Sequence, residues 1–174
     1  MIGKVISPVR ASSRGLIVMN NATNSYHQVD MKADELILQD NNYQAYRVTD
    51  VQLTLDITSI GSNGLDTGIE QPYTCYYIWI IAKSNGAVAG LLSTSSNSPT
   101  QPSGYNYKAF VGAVHNCRNG GNDFGPIKQV GRHVARNAVA VVNSGTGSTI
   151  TLMNCSSAIP ERAVMVMGDI TLNI

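Results

Sequence analysis

The side chains best suited to chemistry are few and widely spaced. The three histidines, His27, His115 and His133, lie in separate segments. His115 precedes Cys117 by two residues, a spacing that puts both on one face of a strand. No third or fourth ligand follows nearby, so a structural histidine is expected rather than a zinc ligand. Cys75, Cys117 and Cys155 are far apart and form no C-x-x-C pair, which argues against a zinc knuckle or a thioredoxin-type site. Serines are abundant, yet no G-x-S-x-G elbow presents one as a nucleophile. Asp30, Asp34 and Glu35 raise the question of paired carboxylates for sugar hydrolysis. Strand alternation places Asp30 and Asp34 on one face, read here as a solvated one. The glycine-rich run GSNGLDTG at 61–68 raises the question of phosphate. Neither G-x-x-x-x-G-K-[ST] nor G-x-G-x-x-G before a helix is present, and a turn is the expected role. Asp56 and Asp66 lack the ligand ladder of a calcium loop. The expectation is a chain with no catalytic set, no cofactor and no metal.

The elements that would position any such residue are strands. Residues 73–116 organise the chain. The run Cys75-Tyr76-Tyr77-Ile78-Trp79-Ile80-Ile81 is aromatic and β-branched almost throughout, which fits a strand covered on both faces. Asn85-Gly86 marks a turn, 87–92 a second strand, 93–104 a polar loop with two prolines, and 105–114 a third strand. Upstream, Val29, Met31 and Ala33 alternate with Asp30, Lys32 and Asp34, and Val51, Leu53, Leu55 and Ile57 share one face of another segment. A helix over KADELILQ is the competing pattern, and the Asp40-Asn41-Asn42 stop followed at once by new alternation favours the strand. Downstream, 127–134 reads as a strand interrupted at Gly131 and resumed over 135–142. Further short strands fall at 149–153, 163–167 and 169–174, and one helical turn around Pro160. Many short strands with turn signals between them predict an all-β antiparallel β-sandwich, jelly-roll-like. Residues 1–14 are expected to be a short N-terminal arm or edge strand, and 15–174 a single domain.

Composition narrows the function classes. Charged residues are 13% of 174, against a typical ~25%, and the formal net charge is +1. Lys and Arg are scattered, so no nucleic-acid partner is expected. No window approaches the roughly 18 apolar residues of a membrane helix, and no apolar signal segment follows Met1; assembly in a cytoplasm is expected. Reduced thiols are the plain reading of the cysteines, with Cys75 buried in its strand. Cys117, read as lying in an exposed NCRNGG loop, and Cys155 are candidates for an inter-subunit disulfide. Tyr73, Tyr76, Tyr105 and Tyr107 cluster around the Trp79 strand and the 99–104 loop. Tyrosines of this kind serve a subunit interface or simply pack on their strand neighbours.

Three stretches together carry a family resemblance: NNATNSYHQVDMKADELILQD, then LDITSIGSNGLDTG, then YYIWIIAKSNGAVAGLLSTSSNSPTQPSGYNYKAFVGAVHN. They resemble a domain of tailed-bacteriophage virion proteins, in which an ADELVLQD-like strand, an NGLDTG-like loop, a WYYIW-like strand, a GLLS loop with prolines and a GYTYKA strand follow in this order. The likeness runs from about residue 20 to 134 and is specific as an ensemble. It implies a non-enzymatic, oligomeric part exposed on the particle, and transfers no catalytic residue. The family is poor in cysteine, so Cys75, Cys117 and Cys155 are a departure that raises covalent cross-linking. No heptad-patterned shaft is present, which favours a compact unit over a long fibre. The expected function is a head decoration or cement protein, a trimer on the outer surface of the virion. It would grip the major capsid protein or other virion proteins, with no membrane partner. The alternative is a tail-fibre or receptor-binding module that contacts host glycans.

Overall fold

Alternating apolar and polar residues build a long hairpin first. In the computed structural model, which describes residues 12–136, 159–163 and 165–166, β3 (Gln28–Gln39) and β4 (Ala45–Asp56) pair antiparallel along their whole length. A tight turn at 40–44 joins them, in which Asp40 Oδ1 accepts the amides of Asn42 and Gln44, both at 2.8 Å. The KADELILQ segment is strand, as its alternation predicts. Val29, Met31, Ala33, Val51 and Leu55 enter the core, with Leu53 packed against it.

The alternation then changes phase. Leu36 and Leu38 on β3, and Tyr46 and Val48 on β4, are the inward residues beyond the midpoint. Both strands slip together, so the register on either side of Asp34 and Asp50 is one continuous count. Asp50 adopts φ 53°. The irregularity extends to the other edge of β3, where β1 (Ser13–Arg14) and β2 (Ile17–Asn20) pair in a single register interrupted at Gly15 and Leu16. Gly15 has φ 64° and lies directly against the Asp34 carboxylate, with no room for a Cβ. A crease therefore crosses three strands at Gly15, Asp34 and Asp50. Beyond it, Glu35 turns outward to Arg47, whose Nη2 lies 2.8 Å from Glu35 Oε2, with Arg14 at 3.8 Å. Arg47 holds the Glu35 carboxyl below its usual range, mainly through this hydrogen bond.

The expected three-strand centre is present. β6 (Cys75–Ala82) pairs with β7 (Val88–Ser93) on one side and with β8 (Tyr107–Arg118) on the other. Gly86, at φ 96°, makes the β6–β7 turn. β5 (Gly64–Leu65) adds a short parallel strand to β7, and β9 (Asp123–Phe124) pairs with the end of β8. β10 (Ile127–Val130) pairs with β2 and with β11 (His133–Arg136). The chain reverses at Gly131, at φ 58°, so 127–134 is a hairpin and not one interrupted strand. The resumption expected over 135–142 and the strands expected at 149–153, 163–167 and 169–174 lie wholly or largely outside the described residues, as does most of the 1–14 arm. The arm's end, β1, is an edge strand on β3.

The fold is thus all-β and antiparallel but for β5–β7. Its one helical element among the described residues is a 3-10 turn at Asn119–Gly121. The eleven strands belong to one open sheet, ordered β11-β10-β2-β3-β8-β6-β7-β5, and the hydrogen bonds do not divide it into the two sheets of a jelly roll. Its halves join at one residue pair, Gln39 with Lys108. Both halves feed one core: Val18, Val29, Met31 and Leu38 meet Tyr76, Ile78, Ile80 and Val111. Buried Gln129 pins the seam, its Nε2 donating to Val111 O at 2.6 Å and Gly131 O at 2.8 Å. Where β4 crosses β7, a methyl group on Gly90 would stand 2.7 Å from Leu55 Cγ and Cδ2. Gly90→Ala should therefore cost about 1–3 kcal/mol by overpacking. Urea unfolding checks this, and an unchanged midpoint would mean that β4 does not press on β7.

Candidate functional site

The glycine-rich loop and the strand after the Trp79 turn prove to be one unit. Asn63, at φ 65°, exchanges two hydrogen bonds with Gly90: its amide donates to Gly90 O, and its Oδ1 accepts from Gly90 N, both at 2.8 Å. An asparagine tolerates this left-handed backbone better than most residues. Leu65 then runs beside Leu92, and Asp66 N donates to Leu92 O at 2.9 Å. Asp66 Oδ2 accepts from Ser93 Oγ at 2.7 Å and from Thr100 N at 2.8 Å, tying the proline-bearing loop to the sheet. NGLDTG and GLLS are thus partners in space, and their polar groups are engaged with each other rather than turned toward a phosphate.

The four interface tyrosines separate. Tyr76 is 1% exposed, and its hydroxyl accepts the Gln71 amide at 2.6 Å. Its area belongs to the chain's own core, which corrects its place among surface candidates. Tyr107 stacks on Tyr46, with ring centroids 4.5 Å apart. Tyr105 lies under Lys83 Nζ at 4.8 Å and accepts from Ser62 Oγ at 3.3 Å. Tyr73 alone of the four is largely exposed, at 66%. Sequence parity cannot make this division, because β6 is covered on both faces. On its outer face Tyr77, Trp79 and Ile81 pack with Ala89 and Leu91, flanked by Phe110. Residues 159–162 lie against that face: Glu161 N donates to Tyr77 Oη at 3.3 Å, and the Arg162 guanidinium sits 4.7 Å from the Phe110 ring centroid. The expected turn at Pro160 is present, with Ala163 N donating to Pro160 O.

Cys117 lies on β8 and is half-buried, not in an exposed loop. Cys155 lies outside the described residues, so their pairing does too. Cys75 and Cys117 are both free thiols. Cys75 faces His115 directly across the strands, which leaves Cys117 on the diagonal. Diagonal positions are ~7–8 Å apart, beyond ordinary disulfide reach. Burial pushes the Cys75 thiol up to about 11. Burial, and secondarily the Arg136 charge, lowers the His115 pKa, which favours the neutral ring. Among the described residues, no group of three or more His, Cys, Asp or Glu is arranged to hold a metal ion.

A different surface emerges at the end of the sheet where β8 stops. Asn119, Gly120 and Gly121 all have positive φ, and Tyr73 N donates to Gly121 O at 3.2 Å. Tyr73 itself has φ 54°, a conformation costing a bulky residue about 1–2 kcal/mol. Its neighbours hold it there. Buried Asn116 donates from Nδ2 to Glu70 Oε1 at 2.8 Å and to Gln71 O at 3.1 Å, and from its amide to Thr74 O at 2.9 Å. A Cβ on Gly121 would meet Tyr73 N at 2.7 Å, so only glycine admits this contact. On the other side of the turn, the Arg118 guanidinium sits 5.3 Å from the Tyr26 ring centroid, and Tyr26 O accepts the Phe124 amide. The turn glycines were legible in sequence. Tyr26 and Arg118 were not, because their meeting depends on β9 returning past the 21–27 loop.

Comparison with family models, curated proteins and solved structures finds no match for this chain.

Replacing Asp66 by alanine strands the Ser93 hydroxyl and the Thr100 amide and should cost about 1–3 kcal/mol. Faster amide exchange at Thr100 would accompany it; unchanged exchange there would show that the loop is held by other contacts. For Cys75, a thiol near 11 against an ordinary 9.0 lowers the thiolate share, and so alkylation at pH 8, by about 100-fold. Mass spectrometry of the folded protein with iodoacetamide should find Cys75 unmodified until denaturant is added.

Proposed function

We propose that the protein is a non-enzymatic structural component of a tailed-bacteriophage virion, acting as a head decoration or cement protein. The observation that carries this reading is the joining of the resemblance's separate pieces. NGLDTG and GLLS, 27 residues apart from Asn63 to Gly90 in sequence, are one hydrogen-bonded clamp. What is shared with the virion domain is thus a folded framework rather than an accident of composition. In this reading the two halves of the sheet act as the layers of a jelly-roll-like sandwich, since their inward residues already share one core. Three copies associate on the outer surface of the particle, after assembly in the host bacterial cytoplasm. They bury area against the major capsid protein and oppose the pressure of the packaged genome. Residues 1–14 lead away from β1 and supply the anchor.

The test is binding of the purified protein to empty capsids, with mass measured by analytical ultracentrifugation. The expected result is a trimer, three times 18.6 kDa, that saturates capsids at a fixed ratio and loses binding when residues 1–14 are removed. A monomer that ignores capsids, or density for this chain only on the tail in an image of the particle, overturns the reading in favour of a tail-fibre or receptor-binding module.

A further inference from the structure

The end of the sheet around Asn119–Gly121 combines three features that nothing in the fold's stability requires. Tyr73 and Tyr26 present rings to solvent, at 66% and 42% exposure, from two different loops that bracket the same turn. Arg118 lies flat over Tyr26 and makes no ion pair among the described residues. The nearest carboxylate in register, Asp123, is buried and engaged elsewhere: it accepts from Asn119 Nδ2, and His27 Nε2 lies 4.0 Å away. Between the rings, Gly120 has nothing within 4 Å of the place a Cβ would take, so the surface is open to close approach. Tyr73 is also kept in a backbone conformation that glycine would adopt without cost. Strain maintained at an exposed aromatic is a mark of recognition rather than of folding.

The geometry points to a binding surface for an acidic saccharide. Tyrosine rings offer an apolar face to a pyranose and a hydroxyl at its edge. A guanidinium stacked on an aromatic keeps its planar edge free, and that edge matches a carboxylate with two parallel hydrogen bonds. The sugar class that presents both features is one with a ring carboxylate, a uronate or a sialate. A protein partner is disfavoured by the open glycine turn, which leaves a narrow floor between two rings rather than a broad apolar patch. The inference rests on these side chains and not on the position of the protein in a virion, so its failure leaves the capsid test untouched.

The experiment is binding of the intact chain to an array of neutral and carboxylated glycans. Calorimetry follows, with tetragalacturonate and sialyllactose against maltotetraose. The expected result is binding of at least one carboxylated saccharide, at least ~10-fold weaker for its neutral counterpart, and weakened by added salt. Arg118→Lys, which keeps the charge but not the fork, should lose at least ~10-fold while leaving the melting temperature unchanged. Tyr73→Gly should lose binding and yet melt about 2–4 °C higher, because the strain is relieved. That pairing separates a recognition residue from a structural one. No binding to any carboxylated glycan, equal binding to neutral ones, or affinity indifferent to both substitutions overturns the inference. So does capture of a virion protein by this surface without saccharide binding.

Discussion

One strand with two dry faces sets the terms for everything around it. Along β6, Tyr76, Ile78, Ile80 and Ala82 face the main core, and Tyr77, Trp79 and Ile81 face the second cluster. Such a strand can have neither an open edge nor an open face. Its edges are filled by β7 and β8. One face is covered by the β3–β4 hairpin, through contacts such as Leu55 over Gly90. The other needs cover as well, and the buried polar tips on it show how that is arranged. Trp79 Nε1 donates to Ser95 O at 3.1 Å, and the Ser96 hydroxyl donates to Glu161 Oε2 at 2.7 Å. The loop after β7 and the segment at 159–162 are thus drawn onto the sheet by the hydrogen-bonding needs of aromatic residues that have no water to turn to.

What could be read from the chain follows from the range of each signal. Burial alternation is local, so β3, β4 and the double-sided character of β6 were all visible in the order of residues. The crease was hidden because Asp34, Glu35, Thr49 and Asp50 are all polar, and a run of polar residues carries no phase. The hairpin at Gly131 was hidden for a related reason: apolar and polar residues keep alternating through it. Cys117 looked like loop because glycine and asparagine follow it, yet β8 continues through it to Arg118. The clamp between Asn63, Asp66, Gly90 and Ser93 has no periodicity at all. It depends on polar pairs 27 residues apart, which become adjacent only after β6 and β7 have folded. Tyrosine exposure was the least legible property, since it depends on which loops return over each ring.

The two ends of the sheet use the same residue types differently. At the end near the 40–44 turn, Tyr46 and Tyr107 cover each other and Lys83 covers Tyr105, so aromatic area is largely spent within the chain. At the opposite end Asn116, itself fully buried, is spent on holding a neighbouring loop in place, and the ring that loop carries is left to solvent. Framework and exposed surface are thus separable in this molecule. The residues that carry the fold are buried amides and carboxylates, while those facing outward hang from them.

The crease at Gly15, Asp34 and Asp50 also limits how this chain can change length. Each of the three strands changes facing at the same row, so their slips cancel and pairing continues. Removing one residue from a single strand would leave its neighbours out of step and turn half of its side chains to the wrong side. Removing one from every strand at that row would restore an unbroken pleat and keep every partner. Insertions and deletions here would therefore be accepted only as a matched set, and relatives with a straight version of this hairpin should be shorter at all three places together.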